Sequence, residues 1–249
     1  MSDHDDNAML PPAPFAAPDT LALLLDFDGT LVEIAPRPDA ITVPPDLPGR
    51  LARLHDRLSG ALAVVSGRAV ADLRGYLPDF PGLILGSHGA ERAEAGAEPL
   101  ILAPTDGLAE LRAETAVYAR QHPALLVEDK THSVVLHYRA APGMAAQVAA
   151  FMQGLAARHP AFAVQPAKMA VELRPAGADK GSAVARLLDT PPFAGRVAVY
   201  AGDDTTDEAA MQVAQDRGGA GIKIGPGETV ARYRMDGPAD LYHWLDRAV

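Results

Sequence analysis

The chain has no cysteine, and aromatic residues make up only 5% of it, with a single tryptophan. Without cysteine there is no disulfide framework, no thiolate nucleophile and no sulfur-ligated zinc or iron–sulfur site, so the fold must rest on packing. Basic charge is also in short supply: 22 Lys and Arg face 32 Asp and Glu, for a net charge of -10. A protein that tracks a phosphate backbone carries a basic face, which excludes nucleic acid as the expected partner. Long apolar runs are missing as well. Leu21 to Leu25 and Ala61 to Val65 fall far short of the ~18 residues of a membrane span. The first residues lack the basic start and apolar core of a secretory signal, so the expectation is a soluble cytoplasmic monomer with no membrane partner.

What is present is ordinary globular material: 249 residues, 48% hydrophobic and 22% charged, enough for a real core and an inserted smaller unit. The acidic excess is concentrated. Asp3, Asp5, Asp6 and Asp19 lie in the first twenty residues, six more acids lie in Asp26-Phe27-Asp28 and Asp203-Asp204-Thr205-Thr206-Asp207-Glu208, and the remainder is balanced. Residues 1–18, polar and then rich in Pro and Ala, read as a flexible tail.

Leu21 to Leu25 is an uninterrupted apolar run that stops at Asp26, as a central parallel strand covered on both faces would. Ala61 to Val65 before Ser66-Gly67-Arg68, Val197 to Ala201 before Gly202-Asp203-Asp204, and Leu83 to Leu85 before Gly86-Ser87-His88-Gly89 repeat the pattern. Leu47, Leu51, Leu54 and Leu58 have helical spacing between the first two strands. The alternation predicts a doubly wound α/β core, in which ligands sit beyond the carboxyl ends of the strands. The middle of the chain breaks the rhythm. Helices over Leu108 to Arg120 and Pro142 to Arg158, each followed by two strands, predict an inserted α+β unit with an antiparallel sheet. The expected layout is core over 19–105, insertion over 106–175 and core again over 176–249.

Chemistry concentrates at the strand ends. Asp26 and Asp28, two apart in extended chain, point to the same side; one carboxylate could attack phosphorus and the other move protons, although a polar turn would look similar. A calcium loop of the EF-hand type is excluded, because Thr30 and Leu31 stand where ligands and a glycine are needed. The acids from Asp203 to Glu208 repel one another at neutral pH, and an all-oxygen set suits Mg²⁺; a helix N-terminus explains Asp207 and Glu208 but not Asp203 and Asp204. Ser66 offers a hydroxyl and Lys180 a compact cation. His132 and His137 lie on opposite sides of a strand and are poor joint ligands.

The succession Asp26-Phe27-Asp28-Gly29-Thr30, Ser66, Lys180, Gly202-Asp203-Asp204-x-x-Asp207 resembles the four motifs of the haloacid dehalogenase-like phosphatases. With Ser66-Gly67-Arg68, Ser87-His88-Gly89-Ala90-Glu91, Val127-Glu128-Asp129-Lys130 and Lys168 to Pro175, it is similar to the trehalose-6-phosphate phosphatase family from about Leu21 to Leu245. The resemblance implies a Mg²⁺-dependent phosphatase for a small sugar phosphate, trehalose 6-phosphate, acting through an aspartyl-phosphate. It implies Asp26 as nucleophile and Asp28 as general acid and then base, with Ser66 and Lys180 holding the phosphoryl oxygens. Mg²⁺ would be held by Asp26, the carbonyl of Asp28 and Asp203, with Asp204 or Asp207 beside it. The insertion would be the family's cap, with Glu128, Lys130 and Glu172 meeting sugar hydroxyls and Arg68, His88 and Glu91 contributing from the core. A phosphatase for another sugar phosphate, such as sucrose or mannosylglycerate phosphate, a phosphomutase, and a non-catalytic sugar-phosphate-binding module remain as alternatives.

Overall fold

A computed structural model describes residues 20–35, 37, 40–102 and 106–248. The chain divides into two compact units: one holds the residues up to Leu100 and from Asp179 onward, the other is Ile101–Ala178. The inserted unit is thus wider at both ends than the 106–175 expected from the sequence.

With strands numbered along the whole chain, the first unit is built on β1 (Leu21–Leu25), β2 (Leu62–Val65), β3 (Leu83–Gly86), β4 (Glu91–Ala93), β10 (Val197–Gly202), β11 (Ala220–Ile224) and β12 (Tyr233–Met235), with β5 (Leu100–Ile101) at the division of the chain. Among the described residues they form one sheet in the order β12-β11-β10-β1-β2-β3-β4-β5. The pairings from β12 through β3 are parallel, and β4 joins β3 antiparallel.

The run Leu21 to Leu25 is apolar throughout because successive side chains face opposite sides of the sheet, and both sides are covered. Leu21, Leu23 and Leu25 pack with Leu47, Leu51 and Leu54 of α1 (Leu47–Arg57), Val70 and Leu73 of α2 (Val70–Tyr76) and Leu241, Trp244 and Leu245 of α7 (Pro238–Leu245). Ala22 and Leu24 pack on the other side with Val184 and Leu187 of α5 (Lys180–Leu187) and Met211 and Ala214 of α6 (Glu208–Asp216). The fold is therefore a doubly wound α/β core, with β1 at the centre and the polar strand ends all at one edge.

In the second unit, β6 (Leu126–Asp129), β7 (Val134–His137), β8 (Phe162–Ala167) and β9 (Ala170–Pro175) form an antiparallel sheet in the order β6-β7-β9-β8. Its Val134, Leu136, Val171 and Leu173 pack on Leu108 and Leu111 of α3 (Leu108–Gln121) and on Val148, Met152 and Leu155 of α4 (Ala145–Arg158). Glu172, between Val171 and Leu173, therefore lies on the face away from the helices. The first residues of the expected second helix form a separate 3-10 turn, Pro142–Met144. The expected tail, 1–18, lies outside the described residues. No helix of the described residues is long and apolar enough to cross a membrane.

The chain end is tied to the core by Arg50 on α1, which donates to both carboxylate oxygens of Asp246 at 2.7 and 3.0 Å and to Asp46 at 2.8 Å, with its guanidinium 4.6 Å from the centre of the Tyr242 ring. The hydrogen bonds from Arg50 hold Asp246 below the ordinary carboxylate value. A lowered carboxylate stabilises the fold above its unfolded pKa of ~3.9 and loses that contribution as pH falls through the folded value. Asp246→Asn is expected to cost about 0.5–1 kcal/mol at pH 7, a range that already allows for solvent screening of this half-exposed group. Urea midpoints of the two proteins should converge as pH falls below 4, and an equal gap at pH 2.5 and pH 7 would contradict the assignment.

Candidate active site

β1, β2 and β10 are neighbours, with Leu25 opposite both Val64 and Ala201. The segments that follow them, from Asp26, Ser66 and Asp203, therefore leave the sheet side by side. Lys180, the first residue of α5, is 3% exposed, and its ammonium donates to Asp26 Oδ1 and to Asp207 Oδ1, each at 2.7 Å. Asp207, fully buried, also accepts from the Tyr200 hydroxyl at 2.6 Å and, through Oδ2, from the Asp204 N–H at 3.0 Å. A carboxylate oxygen from each of Asp26, Asp203 and Asp207 lies within 4.8 Å of the other two.

Charge in this cluster is unbalanced, since three carboxylates share one ammonium. Burial, and then the Asp207 and Asp203 carboxylates, push Asp26 well above the ordinary carboxylate value against the pull of Lys180. Burial, with Asp207 and Asp204, raises Asp203 to about 6. Burial alone would lower Lys180, but Asp26 and Asp207 outweigh it and hold the ammonium above its usual value. Burial and then Asp207 raise Tyr200, which keeps its proton as a donor. An oxygen-only set carrying surplus negative charge fits a hard divalent cation.

Two glycines make the approach possible. Gly29 has φ +75°, and a Cβ there would meet Asp203 Oδ2 at 2.2 Å; one on Gly202 would meet Asp207 Cγ at 2.3 Å. The Asp26 turn and the Asp203 side chain are thus in direct apposition.

Asp28 is gripped by Arg68, Nε to Oδ2 at 2.6 Å and Nη2 to Oδ1 at 2.7 Å. Ser66 is buried, and its hydroxyl accepts from the Arg68 N–H at 3.1 Å. His88 lies over Gly67 in a left-handed stretch, Ser87, His88 and Gly89 having φ of 50°, 56° and 91°; its N–H donates to the Ser66 carbonyl at 2.9 Å. Glu91 is 3% exposed, taking the Val70 N–H at 2.8 Å and the Ser87 hydroxyl at 2.9 Å, so its carboxylate ties the start of α2 to that stretch. Asp204 is exposed, caps the 3-10 turn Thr205–Asp207 and turns to the Thr205 and Thr206 hydroxyls; it stands outside the carboxylate cluster.

Within the inserted unit, Lys130 Nζ lies 3.4 Å from both oxygens of Glu172, which also accepts from the Ser133 hydroxyl at 2.6 Å. Glu128 pairs with His137 Nε2 at 2.8 Å. Tyr200 and Lys223 lie beside the cluster without belonging to any of the sequence motifs. Lys223, 4% exposed, donates to the Asp203 carbonyl. A charge between Ile222 and Ile224 in a core strand requires a buried partner, and that was the available signal.

The family model of the trehalose-phosphatases matches residues 24–239 of this chain. A probable trehalose-phosphate phosphatase of Sinorhizobium fredii is 44% identical over 84% of this chain and 79% of its own length. The trehalose-6-phosphate phosphatase of Escherichia coli is 35% identical over 90% and 85%. A crystal structure of a trehalose-6-phosphate phosphatase related protein superposes with TM-score 0.71 at 28% identity, over 91% of this chain and 95% of that one. The fold is shared with a haloacid dehalogenase-like hydrolase from Bacteroides thetaiotaomicron, TM-score 0.65 at 17% identity, over 92% and 99%.

The apposition at Gly29 can be tested by Gly29→Ala. Left-handed backbone alone costs a side chain about 1–2 kcal/mol, and the displaced Asp203 adds to it. A loss of at least about 1 kcal/mol in urea unfolding is expected, and wild-type stability would show that the turn does not have this geometry.

Proposed function

Since the chain belongs to the trehalose-phosphatase family, we propose that it hydrolyses trehalose 6-phosphate to trehalose and inorganic phosphate through a phosphoryl ester on Asp26. The observation that carries this reading is the buried contact of Lys180 with Asp26, 2.7 Å, at the end of the central strand. It places a fixed cation on one oxygen of a carboxylate whose other oxygen meets the Thr30 hydroxyl at 3.5 Å.

In the first half-reaction an Asp26 oxygen forms a bond to phosphorus as the bond from phosphorus to the sugar oxygen breaks, and that oxygen takes a proton from Asp28. In the second, Asp28 takes a proton from water, the water oxygen bonds to phosphorus, and the bond to Asp26 breaks, freeing phosphate. Ser66 and Lys180 hold the phosphoryl oxygens, and Asp207 with Tyr200 keeps Lys180 aimed. Asp26, Asp203 and the Asp28 carbonyl would hold Mg²⁺, which when bound supplies positive charge to a transition state whose negative charge is spread over oxygens. Glu128, Lys130 and Glu172 of the inserted unit bind sugar hydroxyls through charged hydrogen bonds.

Phosphate release from trehalose 6-phosphate should require Mg²⁺, stop on chelation and return when the ion is restored. Asp26→Asn is expected to reduce it to background while leaving thermal unfolding cooperative, and appreciable turnover by that variant would refute the nucleophile. Comparison of kcat/KM with that for sucrose 6-phosphate and glucose 6-phosphate tests the substrate, and equal values would count against a disaccharide-specific site.

A further inference from the structure

Arg68 follows Ser66-Gly67 as a candidate for the sugar, yet its guanidinium is already committed to a protein carboxylate. Nε and Nη2 take one oxygen each of Asp28, at 2.6 and 2.7 Å. The guanidinium carbon lies 5.1 Å from the centre of the Tyr76 ring and 5.8 Å from that of Phe27, and only 14% of the side chain is exposed. The backbone is fixed on both sides, the N–H donating to the Ser66 hydroxyl at 3.1 Å and the carbonyl accepting from the Ser87 N–H at 2.7 Å. Because β1 and β2 are adjacent and parallel, residues 40 apart in sequence leave the sheet next to each other.

We propose that Arg68 is a positioning residue that aims the Asp28 carboxylate at the sugar oxygen and at the hydrolytic water, and is not a ligand for the sugar. The inference rests on Asp28 being the acid and base of the reaction described above. Two parallel N–H to oxygen contacts fix the plane of a carboxylate, which the point charge of a lysine does not. Asp28 needs such a fixture: it follows the strand end, and its own side chain is 38% exposed. The rings of Phe27 and Tyr76 supply a wall for the guanidinium, and the Ser87 contact ties its backbone to the left-handed stretch after β3.

The test is a double-mutant cycle of Arg68→Met and Asp28→Asn at saturating Mg²⁺, with kcat and KM measured for trehalose 6-phosphate and for p-nitrophenyl phosphate. Misaiming a reacting group by ~1 Å costs about 100-fold, so Arg68→Met should lower kcat roughly 10- to 100-fold with KM within about threefold of wild type. In the Asp28→Asn background the same substitution should lower kcat by less than about twofold, because its target is gone. Arg68→Lys, which keeps the charge, should not restore kcat, and it reads the same cycle if Arg68→Met does not fold. A raised KM with kcat near wild type, losses that multiply, or wild-type kcat in Arg68→Lys would each overturn the role. If the wild-type enzyme hydrolyses p-nitrophenyl phosphate but not trehalose 6-phosphate, the substrate reading fails, while the cycle is still read on the first ester.

Discussion

The ammonium of Lys180, lodged between Asp26 and Asp207, is the contact on which the arrangement of the site depends. A buried lysine must be neutralised, and breaking such a pair costs several kcal/mol. The demand therefore fixes α5 against β1 and β10 at one separation. Burial, with Asp207 and Asp204, keeps the carboxyl of Asp203 in the same cluster raised to about 6, only partly offset by Asp26 and Lys180. Packing energy and chemical poise are set by one group.

The sheet explains why that group can be there at all. Alternate side chains of β1 feed two separate cores, so the strand has no freedom to slip by one residue without turning both inside out. Its last residue is then delivered to a fixed point. Glycine at 29 and 202 removes the remaining obstacle, since a methyl group at either would overlap a carboxylate. The acidic cluster is dense because two backbones were allowed to come close.

Much of this was legible in the sequence. The apolar runs ending in Asp26, Ser66 and Asp203 specify parallel strands because only a doubly covered sheet needs apolar residues at every position. Short elements were not legible: α2 spans seven residues and β4 three, too few for a period to show. In the cluster, carboxylates at strand ends marked Asp26 and Asp203, and the order of motifs along the chain marked Lys180. It could not separate Asp207, which is fully buried and accepts from three donors, from Asp204, which is exposed and caps a turn. Glu91 shows the same ambiguity, for its motif resembles a binding sequence and its carboxylate is occupied by backbone and serine. Tyr200 escaped because a hydroxyl in an apolar strand carries no sign of where its partner lies.

Asp26 and Lys180 are 154 residues apart in the chain, and the inserted unit, residues 101–178, accounts for about half of that separation. Chain-closure entropy grows only with the logarithm of loop length, so doubling the loop costs the folded core about 0.6 kcal/mol. The burden falls on kinetics instead, because contacts this distant in sequence raise the contact order and slow folding. The residues of β1 through β4 precede Lys180 in the chain, so the cation that meets Asp26 is the later of the two to be synthesised. The carboxylate cluster is complete only when both segments of the interrupted sheet have joined, since Asp26 comes from one and Lys180, Asp203 and Asp207 from the other.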